Sequence, residues 1–160
     1  ISAPEKYELR RPYLWRFWNK LQTDEDITIF DRSWYGRVLV ERLEGFASPP
    51  EWQRAYDEIN RFERDLVQNQ TLVIKFWLAI SQYEQAARFK AREETPHKRF
   101  KITPDDWRNR EKWDGYLQAA ADMFERTNTS DAPWHIVATN NKYTARLKIL
   151  RAILKQLNAD

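Results

Sequence analysis

The sequence contains no cysteine, which excludes disulfides, thiol nucleophiles and cysteine-rich zinc sites. Its two histidines, His97 and His135, are far apart in the chain, and without cysteine they do not indicate a metal site. No apolar run reaches the length of a transmembrane helix, because Lys75 interrupts the longest one, at 72–80. A chain without thiols is compatible with a reducing compartment, and we expect a cytoplasmic protein.

Aromatic residues are abundant, with eight Trp, seven Tyr and eight Phe in 160 residues. Hydrophobic residues make up 42% and charged residues 32% of the sequence, which indicates one folded globular domain rather than a disordered chain. The formal net charge is only +3, but the segment from Arg88 to Lys101 carries six lysines and arginines against two glutamates. This local excess is more informative about binding partners than the net charge is.

Three segments rich in β-branched and aromatic residues predict strands at 27–31, 71–80 and 134–139. Apolar residues at helical spacing lie between and after them, and the last such segment predicts a helix at about 142–157. Strands that alternate with helices favour an α/β fold with a mostly parallel sheet covered on both faces. Three strands are few for such a sheet, so we expect further sequence upstream of Ile1.

Helix starts are predicted at three places where a hydroxyl residue stands three positions before an acidic one. These hydroxyl residues are Ser48, Ser81 and Thr103. The pattern is that of a capping box, and a proline follows directly after the first and the third.

Asp31 and Arg32 stand side by side at the end of the first predicted strand. In open α/β sheets, ligands bind beyond the carboxyl ends of the strands, where a carboxylate can hold Mg²⁺ and an arginine can bind phosphate oxygens. Arg37 and Glu41 lie one and two turns into the predicted helix that follows. The alternative is a structural Asp–Arg pair that caps the strand, and this short motif alone does not decide between the two.

The segment 81–107, which follows the second predicted strand, is a second candidate site. Arg88 and Arg92 are four residues apart and therefore share one face of a predicted helix, and Lys98 and Lys101 follow in a predicted loop. A cationic helix and loop after a strand is similar to the mobile lid of kinases, which closes over phosphates and excludes water. The alternative is a solvated basic face.

Three long stretches resemble the polyphosphate kinase 2 family: IFDRSWYGRVLVERLEGF (29–46), VIKFWLAISQYEQAARFKAREETPHKRFKITPDDWRNREKWDGY (73–116) and ERTNTSDAPWHIVATNNKY (125–143). The resemblance covers nearly all of residues 1–158 and is greatest to members that phosphorylate AMP. Some of these carry two kinase modules in one chain, and this sequence resembles the second.

The resemblance implies a P-loop kinase-like three-layer α/β/α sandwich with a parallel sheet and a helical lid at about 81–107. It implies transfer of a phosphoryl group between inorganic polyphosphate and a nucleotide with Mg²⁺. AMP to ADP is the favoured reaction, and ADP to ATP is the alternative. It also implies a homo-oligomer that does not bind membranes.

The same resemblance assigns roles to individual residues. Asp31 matches the acidic residue that holds Mg²⁺, and it acts in catalysis together with Arg32. Arg37 matches a nucleotide-contacting arginine, and Glu41 matches an acid near the metal and the acceptor. Four cations match lid positions that face the polyphosphate chain: Arg88, Arg92, Lys98 and Lys101.

One family motif is missing from the 160 residues. The P-loop of the family, G-x-D-x-x-G-K, is absent, and the three glycines (Gly36, Gly45 and Gly115) stand in other contexts. We therefore expect residues 1–160 to be part of a single kinase domain whose P-loop and N-terminal strands lie upstream. Without the backbone cradle and the lysine of that loop, these residues alone are expected to be inactive.

Two alternatives to a kinase remain at this stage. Basic residues that alternate with aromatic ones, as in Arg88-Phe89-Lys90, could follow a nucleic-acid backbone and stack on bases. A catalytically silent interaction domain with a kinase fold is the other. We favour the kinase and do not expect nucleic acid as the physiological partner.

Overall fold

The structure is a computed structural model that describes residues 3–21 and 27–158, without the side chains of Lys98, Lys101, Pro104 and Asp105. Its helices and strands are α1 (Trp15–Trp18), α2 (Val40–Leu43), α3 (Pro49–Gln68), β1 (Lys75–Ala79), α4 (Gln82–Glu93), α5 (Pro104–Glu111), α6 (Trp113–Thr127), β2 (Trp134–Ala138) and α7 (Lys142–Leu157). Short 3₁₀ helices cover Glu8–Arg10, Trp34–Val38 and Pro96–Lys101. Within the described ranges, no helix has the length and apolarity needed to cross a membrane.

The chain divides into two compact units. The first unit consists of Ile1–Thr71 and Asp114–Thr129, and its described elements are helices. The second unit consists of Leu72–Trp113 and Ser130–Asp160 and contains both described strands.

Local sequence fixes both ends of α3, the main helix of the first unit. At its start, the predicted capping box is confirmed, because the backbone N–H of Ser48 donates to Glu51 Oε2 at 2.8 Å and the two side chains also bond. At its end, Gln70 adopts a left-handed conformation (φ 61°) and the Thr71 N–H donates to the Leu66 carbonyl at 3.0 Å. This is a Schellman-type ending, in which such a conformation is common.

Aromatic side chains fill the core of the first unit. The Trp34 ring lies 4.8 Å from the Phe62 ring and 5.9 Å from the Phe17 ring, in edge-to-face arrangements. Each such pair contributes about 1 kcal/mol beyond the area that it buries. Because Phe62 lies on α3 and Trp34 begins the 3₁₀ helix Trp34–Val38, this packing fixes the segment that follows Asp31.

A two-stranded parallel sheet organises the second unit. β1 and β2 pair in register from Lys75 opposite Trp134 to Ala79 opposite Ala138, and this confirms two of the predicted strands in shortened form. α4 and α7 begin directly after the two strands, and α7 has the predicted bounds. The chain therefore has an α/β fold with helices and a parallel sheet.

The predicted strand at 27–31 is wrong. Residues 27–30 have irregular backbone, and the side chains of Ile27 and Ile29 are 80% and 87% exposed. Their β-branched side chains favour extended backbone, but a strand also needs a neighbouring backbone to bond with, and the described residues provide none beside this segment. Asp31 consequently lies at a bend before the 3₁₀ helix and not at the end of a strand.

Arg42 joins three helices of the first unit. Its Nη1 donates to Asp122 Oδ2 on α6 at 2.7 Å and to the Tyr56 hydroxyl on α3 at 3.1 Å, and its guanidinium lies 4.2 Å from the centre of the Trp52 ring. The hydrogen bond from Arg42 is the main cause of a lowered pKa of Asp122.

Replacing Asp122 by Asn should lower the free energy of unfolding by about 1 kcal/mol at pH 7, because it removes the ion pair with Arg42. The loss is small because this ion pair is partly exposed and solvent screens it. Because the pKa of Asp122 is lower in the folded than in the unfolded protein, its carboxylate stabilises the fold at pH values above the unfolded-state pKa. This stabilisation is lost as the pH falls through the folded-state pKa. The difference from wild type should therefore narrow below about pH 4. Urea unfolding at several pH values measures it, with Glu125→Gln on the same helix as the control. An equal difference at pH 7 and pH 3 would contradict the assignment.

Candidate functional site

Asp31 and Arg32 lie on an exposed bend that leads into the 3₁₀ helix Trp34–Val38. The φ of Arg32 is 62°, in the left-handed region that side chains other than glycine rarely adopt, at a cost of about 1 kcal/mol. Gln70 shares this conformation, but at a helix end where it is common, whereas Arg32 does not follow a helix. Such strained residues concentrate at functional sites.

A fully buried carboxylate anchors the 3₁₀ helix. Glu63 on α3 has no exposed surface, and its Oε1 accepts hydrogen bonds from Trp34 Nε1 at 2.9 Å and from the Tyr35 hydroxyl at 2.8 Å. Burial is the main cause of a raised pKa of Tyr35, and the nearby Glu63 charge adds to it, so the phenol stays protonated and continues to donate. Trp34 and Tyr35, which are adjacent in the 3₁₀ helix, thus both bind the same oxygen of Glu63 on α3.

The structure brings the predicted residues Arg37 and Glu41 together. Arg37 Nη1 lies 3.2 Å from Glu41 Oε2, and both side chains are largely buried. Burial raises the pKa of Glu41 and the Arg37 charge opposes this, so the arginine favours the ionised carboxylate. Arg37 is therefore already held in place by a charged partner.

Tyr13 completes this cluster, although no motif in the sequence indicated it. Its hydroxyl donates to the Trp34 carbonyl at 2.6 Å and accepts from the Arg37 N–H at 3.2 Å, while its ring lies 4.1 Å from the Arg37 guanidinium. Burial, with a smaller contribution from Glu41, raises the pKa of Tyr13, so it remains a neutral phenol. In the sequence, Tyr13 stands four residues before Phe17, and this spacing does not indicate a contact with Arg37.

In the second unit, side chains link the carboxyl ends of the two strands. The backbone N–H of Ser81, after β1, donates to Asn140 Oδ1 at 3.0 Å, and Asn140 Nδ2 donates to Ser81 Oγ at 3.1 Å. Arg88 on α4 donates from Nη2 to the carbonyls of Thr139 (2.5 Å) and Asn140 (3.1 Å), and from Nε to Glu84 at 2.8 Å. We call Ser81, Arg88, Thr139 and Asn140 the strand-end junction.

The other residues of the predicted lid lie on α4 and on the 3₁₀ helix that follows it. Ser81 caps α4 by accepting from the Glu84 N–H, which confirms the predicted helix start. Arg92 lies one turn beyond Arg88 and is half-buried, and the described residues offer it no hydrogen-bond or ion-pair partner. Lys98 and Lys101 belong by their backbone to the 3₁₀ helix Pro96–Lys101, and their side chains lie outside the described part of the chain.

A shallow cavity of about 410 Å³ opens at the carboxyl ends of the strands. It is lined by Ala79, Ile80, Ser81, Ala138, Asn140, Asn141, Thr144 and Lys148. Asn141 caps α7 by accepting from the Thr144 N–H at 3.0 Å, so the first turns of α4 and α7 both begin beside the cavity. Helix starts at the carboxyl ends of parallel strands are suited to bind phosphate groups.

These features define an α/β protein with a basic helix beside the carboxyl ends of a parallel sheet, a class that includes many phosphate-binding enzymes. The comparison with known families is more specific. Residues 1–160 match the family described as Polyphosphate kinase 2 (PPK2), and the chain belongs to that family.

Individual relatives agree with this result. The chain is 75% identical over its whole length to a polyphosphate:AMP phosphotransferase of Acinetobacter johnsonii, and it covers 34% of that protein. It is 40% identical over 98% of its length to an ADP-polyphosphate phosphotransferase 2 of Rhizobium meliloti, covering 51% of it. The crystal structure of polyphosphate kinase 2 from Arthrobacter aurescens TC1 superposes with a TM-score of 0.95 at 36% identity, with 99% of this chain and 56% of that chain covered. The chain thus spans between a third and just over half of these relatives.

Replacing Glu63 by Leu should lower the free energy of unfolding by about 3 kcal/mol, because the buried Trp34 N–H would lose its acceptor and the Tyr35 hydroxyl would lose one of its partners. Glu63→Gln keeps an oxygen that can accept both bonds, and its cost should stay below about 1 kcal/mol. Urea unfolding followed by tryptophan fluorescence measures both. If the two variants were equally stable, the carboxylate would not be the anchor of the 3₁₀ helix.

Proposed function

We propose that the protein containing these residues transfers a phosphoryl group between inorganic polyphosphate and a nucleotide, with AMP to ADP as the favoured reaction. The observation that carries this proposal is the 75% identity, over every residue of the chain, to a protein named polyphosphate:AMP phosphotransferase. ADP to ATP is the alternative, since a 40% identical relative is named ADP-polyphosphate phosphotransferase 2. The proposal includes a P-loop kinase-like sandwich with a helical lid, and a homo-oligomer.

Asp31 is the proposed holder of Mg²⁺. Mg²⁺ keeps several waters and uses one or two carboxylates together with substrate phosphates, so the single exposed carboxylate of Asp31 fits it. The described residues contain no group of three or more His, Asp or Glu side chains that could hold a metal without substrate. When bound, the ion would neutralise charge on the phosphate being transferred.

Arg32 and Arg37 are the proposed contacts of the acceptor phosphate. Phosphoryl transfer needs mainly positioning and charge neutralisation, and a guanidinium can bind two phosphate oxygens at once. Arg32 is exposed on the bend next to Asp31, and Arg37 is fixed by Glu41 and Tyr13 one turn later. Glu41 lies at the acceptor side of the site in this scheme, where it keeps Arg37 in place.

Arg88, Arg92, Lys98 and Lys101 are the proposed contacts of polyphosphate. Arg88 also holds the carbonyls at the end of β2, so α4 is attached to the sheet at its first turns. Arg92 extends from the next turn of the same helix. These four cations would neutralise several phosphates of the chain while the segment 81–107 excludes water from the reaction.

Replacing Asp31 by Asn in the full-length protein should abolish ADP formation from AMP, polyphosphate and Mg²⁺, a loss of at least about 10³-fold in kcat. The change keeps the size and removes the charge, so the melting temperature should stay unchanged. Asp57→Asn, on the exposed face of α3, is the control. Activity of Asp31→Asn equal to that of wild type would refute the role of Asp31.

Replacing Arg92 by Ala should raise the KM for polyphosphate about tenfold through the loss of one charge-assisted contact, and leave the KM for AMP unchanged. Arg54→Ala, on α3, is the control, because that arginine is exposed and pairs with Glu58 one turn further along the same helix. Steady-state kinetics with each substrate varied in turn separates the effects. A rise in the KM for AMP alone would assign Arg92 to the acceptor instead.

A further inference from the structure

We propose that Tyr13 is a positioning residue for the acceptor nucleotide, because it fixes both the backbone and the guanidinium of Arg37 in the orientation that binds the phosphate of AMP. The inference rests on the proposed function and extends it to a residue outside the sequence motif. Tyr13 lies upstream of the Asp31–Arg32 bend, and its contacts with Arg37 all belong to the first unit.

The hydroxyl of Tyr13 forms hydrogen bonds with two backbone groups of the 3₁₀ helix that carries Arg37. It donates to the Trp34 carbonyl at the start of the 3₁₀ helix and accepts from the Arg37 N–H near its end. One side-chain oxygen therefore connects the carbonyl of Trp34 with the N–H of Arg37, and these two groups are separated by one 3₁₀ turn. The direction in which the Arg37 side chain leaves the backbone is set by this contact.

The ring of Tyr13 holds the guanidinium without using its donors. The Arg37 Cζ lies 4.1 Å from the ring centre, so the cation rests on the aromatic face. The N–H groups of a stacked guanidinium point outward in its plane, where they can reach phosphate oxygens. Glu41 acts differently, because its carboxylate at 3.2 Å occupies a donor of Arg37 that a phosphate would otherwise use. Tyr13 thus orients Arg37 while leaving it able to bind an anion.

The first unit contains a matched control for this arrangement. Arg126 lies 4.1 Å from the centre of the Tyr56 ring, and the Tyr56 hydroxyl accepts from Arg42. Tyr56 therefore has the same two kinds of contact as Tyr13, but with arginines that have no proposed role in binding substrate. A substitution of Tyr56 reports what the loss of such contacts does to folding alone.

The experiment uses the full-length protein and measures ADP formation with AMP and polyphosphate varied separately. Tyr13→Phe keeps the ring but removes both hydrogen bonds of the hydroxyl, and it should raise the KM for AMP about fivefold. Tyr13→Leu removes the ring as well and should raise it about 30-fold. The KM for polyphosphate should stay within about twofold in both. Tyr56→Phe should lower the melting temperature and leave the KM for AMP unchanged.

A double-mutant comparison distinguishes positioning from general stability. If Tyr13 acts through Arg37, Tyr13→Leu should change the dissociation constant for AMP less than about twofold in an Arg37→Ala background, measured by equilibrium titration. An equal loss in both backgrounds, or equal rises in KM for both substrates, would overturn the inference. If Tyr13→Leu does not fold, an unchanged KM for AMP in the near-isosteric Tyr13→Phe overturns it.

Failure of the proposed function has a different signature. In that case the wild-type protein forms no ADP from AMP and polyphosphate, and the inference about Tyr13 falls with it. An active wild type with unaffected Tyr13 variants removes only the inference.

Discussion

The buried carboxylate of Glu63 is the constraint on which the geometry of the first unit depends. A polar group without exposed surface is costly unless hydrogen bonds compensate it, and here Trp34 and Tyr35 donate to the same oxygen of Glu63. Both bonds are made to a single atom of α3, so the three residues specify one arrangement of α3 and the 3₁₀ helix Trp34–Val38. Since Arg37 lies at the other end of that helix, its position follows from this pairing.

The strand-end junction has a comparable role in the second unit. Two parallel strands alone are marginal, because little backbone is paired and much of each face is exposed. Asn140 and Ser81 bond reciprocally, and Arg88 binds the carbonyls that follow β2, so side chains extend the contact beyond the last paired residues. These bonds attach α4 to the end of β2, and they thereby fix the position of the basic residues of α4 relative to the sheet.

Local signals in the sequence predicted the elements that depend on local chemistry. The structure confirms the predicted helix caps at Ser48 and Ser81 and the predicted bounds of α7. Each of these predictions rests on residues that lie close together in the sequence, either a hydroxyl and an acidic residue or apolar residues at helical spacing. The strand predicted at 27–31 is wrong, because pairing depends on a partner that the segment's own composition does not reveal. The resemblance to the family located Arg37 and Glu41, whereas Tyr13 was not identified, since its contacts join residues more than twenty positions apart.

The environments of the arginines distinguish those that can still bind a phosphate from those that are engaged. Arg88 donates to two carbonyls and a carboxylate, so at least three of its five N–H groups are occupied, and it can contribute charge to polyphosphate but little directional bonding. Arg37 rests on an aromatic face and has one carboxylate partner, so fewer of its donors are engaged. The same residue type is therefore a structural tie in one unit and a proposed anion contact in the other, and the two arginines differ in their partners.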